Sequence, residues 1–227
     1  MQKETIKKAI EDIKKTSEKR NFTQTYDLII NLKDLDLKKP EHQVDIFTQL
    51  PHIRTKKTRI CAMVGPELAG AAKAICDRVI LPEEFPLFDK KRKIIKLAKE
   101  FDFFIAQITI MPQIAKIFGR ILGTRGKMPN PKAGCVVAPN ANLKPLIEKM
   151  QRTVRLVAKT QLSIKTTPGR EDMTDDQIAE NALFIYNTLI QALPEEANNI
   201  KNITLKLTMG KPIEITEKKG KEEKKKK

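Results

Sequence analysis

RICAMVGPELAGAAKAIC, residues 59–76, sets a compact apolar run against a run of small residues, with Gly65 and Pro66 between them. Five consecutive apolar residues after Arg59, without alternation, fit a strand buried on both faces. Pro66 suits a first helical turn, where a missing N–H costs nothing, so PELAGAAKAIC reads as a helix. The same rhythm continues downstream. RVIL (78–81) is a short strand, and DKKRKIIKLAKEF (89–101) is a helix opened by Asp89 as N-cap. FDFFIAQITI (101–110) is another buried strand, PQIAKIF (112–118) another helix and GCVV (134–137) a last short strand. NLKPLIEKMQ (142–151) follows as a helix capped by Asn142. Strands alternating with helices predict crossover units and a mostly parallel sheet, a small Rossmann-like α/β domain.

Outside this segment the alternation stops. Residues 3–18 place Ile6, Ala9, Ile10 and Ile13 at helical spacing, and TYDLIINLKDLDL (25–37) and QVDIFTQL (43–50) read as strands. HIRTKKT (52–58) is a basic connector and marks a domain boundary. Beyond Arg152, TVRLVAKTQLSIKT (153–166) reads as a pair of strands around Thr160 and Gln161. A long helix over 174–193 opens with capping-box spacing from Thr174 to Gln177 and carries Ile178, Ala182, Ile185, Leu189 and Leu193 as one core stripe. NITLKLTMG (202–210) is a final strand. The fold class is therefore α/β and α+β in two domains. A split α+β domain (1–57 and 153–217) receives the inserted α/β domain (58–152), and two chain crossings between them make a natural hinge. The lysine-rich segment 218–227 is expected to be disordered.

The 227 residues carry 44 Lys and Arg against 28 Asp and Glu, a net charge of +16. Such an excess favours a polyanion, because each neutralised phosphate releases a counterion. No membrane partner is expected, since charge-free runs such as Phe103–Ala115 and 181–194 are well short of the ~20 apolar residues of a span. The first fifteen residues mix charges of both signs and lack an apolar signal core. Cys61, Cys76 and Cys135 are odd in number and match no zinc spacing, so a reducing cytoplasm, no metal and no cofactor are expected.

GRILGTRGKMPNPKAG (119–134) invites comparison with a phosphate loop and fails it. Ile121 stands where a P-loop needs its first glycine, and Met128 where it needs Ser or Thr; Gly119, Gly123 and Gly126 have the wrong spacing for a dinucleotide fingerprint. His42 and His52 are the only histidines, one in a polar loop and one in the basic connector, and Cys135 reads as a small buried residue. No catalytic constellation emerges, and the chain is not read as an enzyme. Between Phe103 and Arg170, Glu148 is the single acid among twelve Lys and Arg, a polarity that suggests a nucleic-acid face. The glycine-rich stretch, with Arg120, Arg125, Lys127 and Lys132, reads either as part of that face or as a turn that positions a helix. Its four glycines, 119, 123, 126 and 134, permit left-handed turns and close approach.

This stretch closely resembles the signature of the large-subunit ribosomal protein L-one family, archaeal type. The resemblance extends to about Ile215 through NFTQTYDLIINL, VAKTQLSI and LTMGKPIEI in the family's order. Two positions depart from it: Thr124 stands where the family usually has Pro, and Asn21 where Lys precedes the phenylalanine. The resemblance implies a split domain one that carries the main contact to large-subunit rRNA at the mobile stalk, and an inserted domain two. It implies three partners: rRNA, exit-site tRNA whose release the protein assists, and the protein's own mRNA, whose translation it represses. The protein is then cytoplasmic, ribosome-associated and monomeric when free. The matching RNA-binding positions are Phe22, Asp27, Lys159, Thr160, Thr208, Met209 and Gly210, with Arg120, Arg125, Lys127 and Lys132 as secondary RNA or interdomain contacts. In that role Thr208 donates to phosphate or 2′-hydroxyl oxygens and Gly210 lets RNA approach the backbone. Plainer readings stand beside two of them, Phe22 in a core and Asp27 in an internal ion pair. The alternative function is a nucleotide-dependent enzyme built on the middle domain, and a third is a membrane-surface protein held by the lysine tail.

Overall fold

The computed structural model describes residues 1–54, 58–88, 90–139 and 141–215. The chain divides into two compact units, one from Met1–Thr55 with Val154–Lys227, the other from Lys56–Thr153. Unit one opens with α1 (Lys3–Thr16), β1 (Thr25–Leu32) and β2 (Val44–Gln49). Unit two holds β3 (Ile60–Met63), α2 (Pro66–Ile75), β4 (Arg78–Ile80), α3 (Lys91–Glu100), β5 (Phe103–Gln107), α4 (Met111–Thr124), β6 (Val136–Val137) and α5 (Leu143–Arg152). Unit one resumes with β7 (Thr153–Ala158), β8 (Ser163–Arg170), α6 (Asp175–Ala192), β9 (Ile200–Leu207) and β10 (Ile213–Glu214). The mixture of a parallel and an antiparallel sheet is the expected α/β and α+β class.

Unit two is a four-stranded parallel sheet in the order β4-β3-β5-β6. Alternate residues of β3 enter two separate cores. Cys61 and Met63 pack with Leu97, Phe118 and Leu122 of α3 and α4, while Ile60 and Ala62 pack with Leu68 and Ala72 of α2 and Ile147 of α5. Both faces are covered, which is why RICAMV shows no polar alternation. The expected Asp89 cap lies outside the described residues.

Unit one pairs its strands as β10-β9-β1-β8, all antiparallel. Tyr26, Leu28 and Ile30 of β1 face the core with Ile6, Ile10 and Ile13 of α1 and the whole stripe of α6, Ile178 through Leu193. The Thr174–Gln177 capping box is formed. The other sheet face carries Thr25, Asp27, Ile29, Asn31, Thr204 and Lys206, none of them buried. An antiparallel sheet with one wet face explains the clean alternation of TYDLIINL. The segment 153–166 does contain two strands, but they do not pair with each other. β7 joins β2 in a separate two-stranded ribbon, and β8 flanks β1.

The glycine-rich stretch begins as helix, its first six residues being the end of α4, and only the remainder is turn. α4 runs through Gly119 and Gly123 to Thr124. Its end is a Schellman motif: Gly126 N–H donates to Gly123 O at 3.0 Å and Lys127 N–H to Leu122 O at 2.9 Å, with Gly126 at φ 66°. Gly134, at φ 74°, ends the following short turn. Only these two of the four glycines use left-handed backbone. Gly119 and Gly123 sit in helix with open space where a Cβ would stand. Helical glycine costs about 1 kcal/mol relative to alanine. Gly119→Ala and Gly123→Ala are therefore each expected to stabilise unit two by about 0.5–1 kcal/mol, read by chemical denaturation.

Candidate nucleic-acid interface

At one end of the antiparallel sheet, the start of β1, the end of β8 and the exit of β9 come together. Thr25 lies opposite Arg170 on one side and bonds Thr208 on the other: Thr208 N–H donates to Thr25 O at 3.0 Å, and the two hydroxyls stand 2.8 Å apart. Thr208 Oγ1 also accepts the Thr25 N–H and lies within 3.2 Å of Thr25 O. With its proton on that carbonyl, the Thr208 hydroxyl is saturated, and the free lone pairs of the pair belong to Thr25. In that arrangement the exposed Thr208 orients the half-buried Thr25, and the pair offers a ligand acceptor lone pairs.

Beyond Thr208 the chain turns. Gly210 N–H donates to Leu207 O at 3.0 Å, and a Cβ at Gly210 would stand 3.0 Å from Ser17 Oγ and 3.2 Å from Leu207 Cβ. Tight packing against the end of α1 accounts for this glycine without any RNA. Met209 is 64% exposed, and Phe22, in the segment leading into β1, is 52% exposed. The core reading of Phe22 is thereby excluded. Asp27 faces outward opposite Lys206, whose ammonium donates to Thr208 O at 3.1 Å. Among the described residues Asp27 makes no ion pair.

Lys159 and Thr160 do not join this cluster. They lie before β8, whose first residues pair with Asn31 and Leu32, the far end of β1. Eight residues of strand separate the two ends by roughly 23 Å. Lys159 is also engaged: its ammonium sits 2.7 Å from Asp45, which Arg155 grips with two bonds at 2.8 and 2.9 Å. The Arg155 guanidinium, followed by the Lys159 ammonium, outweighs burial and draws the Asp45 carboxyl down to about 2. A depressed folded pKa contributes stability above the ordinary carboxylate range that is lost as pH falls through the folded value. Wild-type protein should therefore lose about 1–2 kcal/mol between roughly pH 4 and pH 2, after allowance for solvent screening. Asp45→Asn should flatten that part of an acid-denaturation profile.

In unit two, Arg120, Arg125 and Lys132 are exposed. Lys127 is not a free cation, since its ammonium donates to Ala98 O at 2.9 Å and Phe101 O at 2.7 Å and so caps the end of α3.

The ligand crevice of a doubly wound sheet lies where the strand order reverses, here between β3 and β5. Gln107, 3% exposed, fills this place and accepts the Gly65 N–H at 2.6 Å; a Cβ at Gly65 would stand 3.0 Å from the same oxygen. Pro66 removes an N–H from the start of α2, and Glu67 adds a negative charge where a phosphate would sit. Burial pushes the Cys61 thiol up to about 12 and the Cys76 thiol up to about 11, and raises that of Cys135 as well, so none is an activated nucleophile.

The profile of the ribosomal protein L1p/L10e family matches residues 4–211, from the first turn of α1 to just past the Thr208–Gly210 turn. The chain belongs to that family. Large ribosomal subunit protein uL1 of Nanoarchaeum equitans is 43% identical over 213 residues, 91% of this chain and 99% of the relative. The uL1 proteins of Thermococcus kodakarensis and Methanocaldococcus jannaschii are 39% and 37% identical, over 94% and 97% of this chain and 97% and 99% of theirs. Members of the L1p/L10e family are structural ribosomal proteins, so the chain is not an enzyme, and the nucleotide-dependent alternative falls. Among the described residues no helix is long and apolar enough to cross a membrane. The sequence left Gln24 and Thr25 unmarked, and marked Arg170 only as one of the twelve Lys and Arg between Phe103 and Arg170. Thr25 and Thr208 are 183 positions apart, and nothing local in either segment announces the contact.

Proposed function

We propose that this chain is a structural constituent of the large ribosomal subunit that binds rRNA at the mobile stalk through unit one. One observation carries the reading: the sheet end that gathers Thr25, Thr208 and Arg170 also presents two large apolar side chains, Phe22 and Met209, to solvent. Hydroxyl acceptors suit 2′-hydroxyls, apolar groups suit bases, and Arg170 and Lys206 suit phosphates. The exposed cations Arg120, Arg125 and Lys132 of unit two form a secondary RNA surface. The open space over Gly119 and Gly123 suits close approach of a sugar–phosphate backbone to α4. On the ribosome the protein assists release of exit-site tRNA. Free of it, as a monomer in the cytoplasm, the protein binds its own mRNA and represses translation.

The test is a salt-dependent titration of the full chain with large-subunit rRNA and with an unrelated RNA of equal length. A preference of about 10³ or more that survives at higher salt supports the reading. Equal affinities with equal salt slopes overturn it, leaving only the +16 charge at work. For the regulatory arm, added protein should lower translation of its own message in a reconstituted system, and large-subunit rRNA should relieve the effect by competition.

A further inference from the structure

We propose that Gln24 is a positioning residue for RNA recognition, the bracket that fixes the Thr208–Gly210 turn against the start of β1. The inference rests on the RNA-binding reading of this sheet end. Gln24 is 2% exposed, a rare place for an amide two residues from the exposed Phe22. Its Oε1 accepts the Met209 N–H at 3.3 Å. Its main chain is held from the other side: Gln24 N–H donates to Glu171 Oε2 at 3.2 Å, and Glu171 N–H donates to Gln24 O at 3.0 Å. One residue thus ties together the segment carrying Phe22, the segment following Arg170 and the turn carrying Met209.

The chemistry favours a positional role over a packing one. Burying an amide costs free energy that its hydrogen bonds must offset, and the bond Gln24 makes through its side chain is the one from Oε1 to the Met209 N–H. A leucine or methionine would fill the volume without that cost. What the apolar residues lack is an acceptor for the Met209 N–H; that bond and the Lys206 ammonium on Thr208 O hold the two sides of one peptide at the tip of the turn. Without the Gln24 bond, Thr208 stays bonded to Thr25 and Gly210 to Leu207, but the Met209 N–H loses its partner and the residue between those two anchors is held less firmly. The apolar contact of Met209 then has to be ordered at the moment of binding, which lowers affinity through lost preorganisation.

The experiment compares wild type, Gln24→Met and Gln24→Glu in the full chain. Gln24→Met keeps length and removes the acceptor; Gln24→Glu keeps the acceptor. Three readouts are taken: affinity for large-subunit rRNA at several salt concentrations, thermal stability, and hydrogen exchange at the Met209 amide. Gln24→Met is expected to lose about fivefold to tenfold in affinity, the worth of one neutral hydrogen bond. Its salt slope should match wild type, its Tm should hold or rise, and exchange at Met209 should accelerate. Gln24→Glu should keep the Met209 amide protected, and at high salt, where its added charge is screened, its affinity should approach wild type. Unchanged affinity in Gln24→Met beside a specific wild type overturns the role of Gln24 and leaves the RNA reading intact. A wild type that shows no preference for large-subunit rRNA overturns both.

Discussion

Replacing both Phe22 and Met209 by alanine is expected to reduce affinity for large-subunit rRNA by about 2–4 kcal/mol, roughly 30-fold to 1,000-fold, without unfolding the protein. The two side chains are 52% and 64% exposed, so the free protein gains little from them and their truncation should change stability by less than about 0.5 kcal/mol. Large apolar groups at the wet end of a sheet have a use only when something covers them. Stacked or apolar contact to an unpaired base is worth about 1–3 kcal/mol. No charge is removed, so the number of phosphates neutralised, and with it the salt slope, should stay as in wild type. Leu87 of unit two, 61% exposed, provides the control, and Leu87→Ala should leave rRNA affinity unchanged. Retained affinity in the double variant would remove this sheet end from the interface. A changed salt slope would mean that the substitution disturbed Arg170 or Lys206 instead.

How much of this was legible beforehand depended on distance along the chain. Helices with strong periodicity and local caps, such as α6 with its Thr174–Gln177 box and α5 with Asn142, are written in a few consecutive residues. The core stripes follow from the same periodicity. Strand ends are less legible: β1 stops at Leu32 although apolar residues alternate on to Leu37, because its neighbours β8 and β9 end there. α4 was cut short because two glycines look like breakers, whereas packing of Ile114, Phe118 and Leu122 carries the helix past them. The candidate site shows the same limit. Resemblance to a family supplied Thr208, Met209 and Gly210 as a linear motif, and charge polarity included Arg170, but Thr25 and Gln24 enter only through pairings more than a hundred residues apart. Lys159 illustrates the converse. The resemblance placed it in the candidate set, and its bond to Asp45 is invisible until β2 and β7 are seen to pair.

Phe118→Ala is expected to cost unit two about 3–5 kcal/mol while leaving the rRNA affinity of unit one in place. Phe118 is fully buried on α4, edge-on to Phe85 with ring centroids 5.5 Å apart and tilted beside Phe88 at 5.4 Å. Truncation removes its own burial, both ring contacts and with them the support of the segment 82–88 that carries Phe85 and Phe88. Each aromatic pair adds about 0.5–1.5 kcal/mol beyond area. Against a domain stability of about 5–15 kcal/mol, that loss is about a fifth or more of what holds the unit. The core of unit one, from Ile6 of α1 to Ile215, shares no residue with either core of unit two. We therefore propose that the units are separate folding domains. Calorimetry of the variant should resolve an early transition absent from wild type, with hydrogen exchange accelerating in β3 and β5 but not in β1 and β9. Below the first transition, the preference for large-subunit rRNA over unrelated RNA should persist. A single cooperative transition lowered as a whole would show that unit one depends on unit two. Loss of specific binding at temperatures where β1 and β9 remain protected would place part of the primary RNA grip on α4 and its exposed cations.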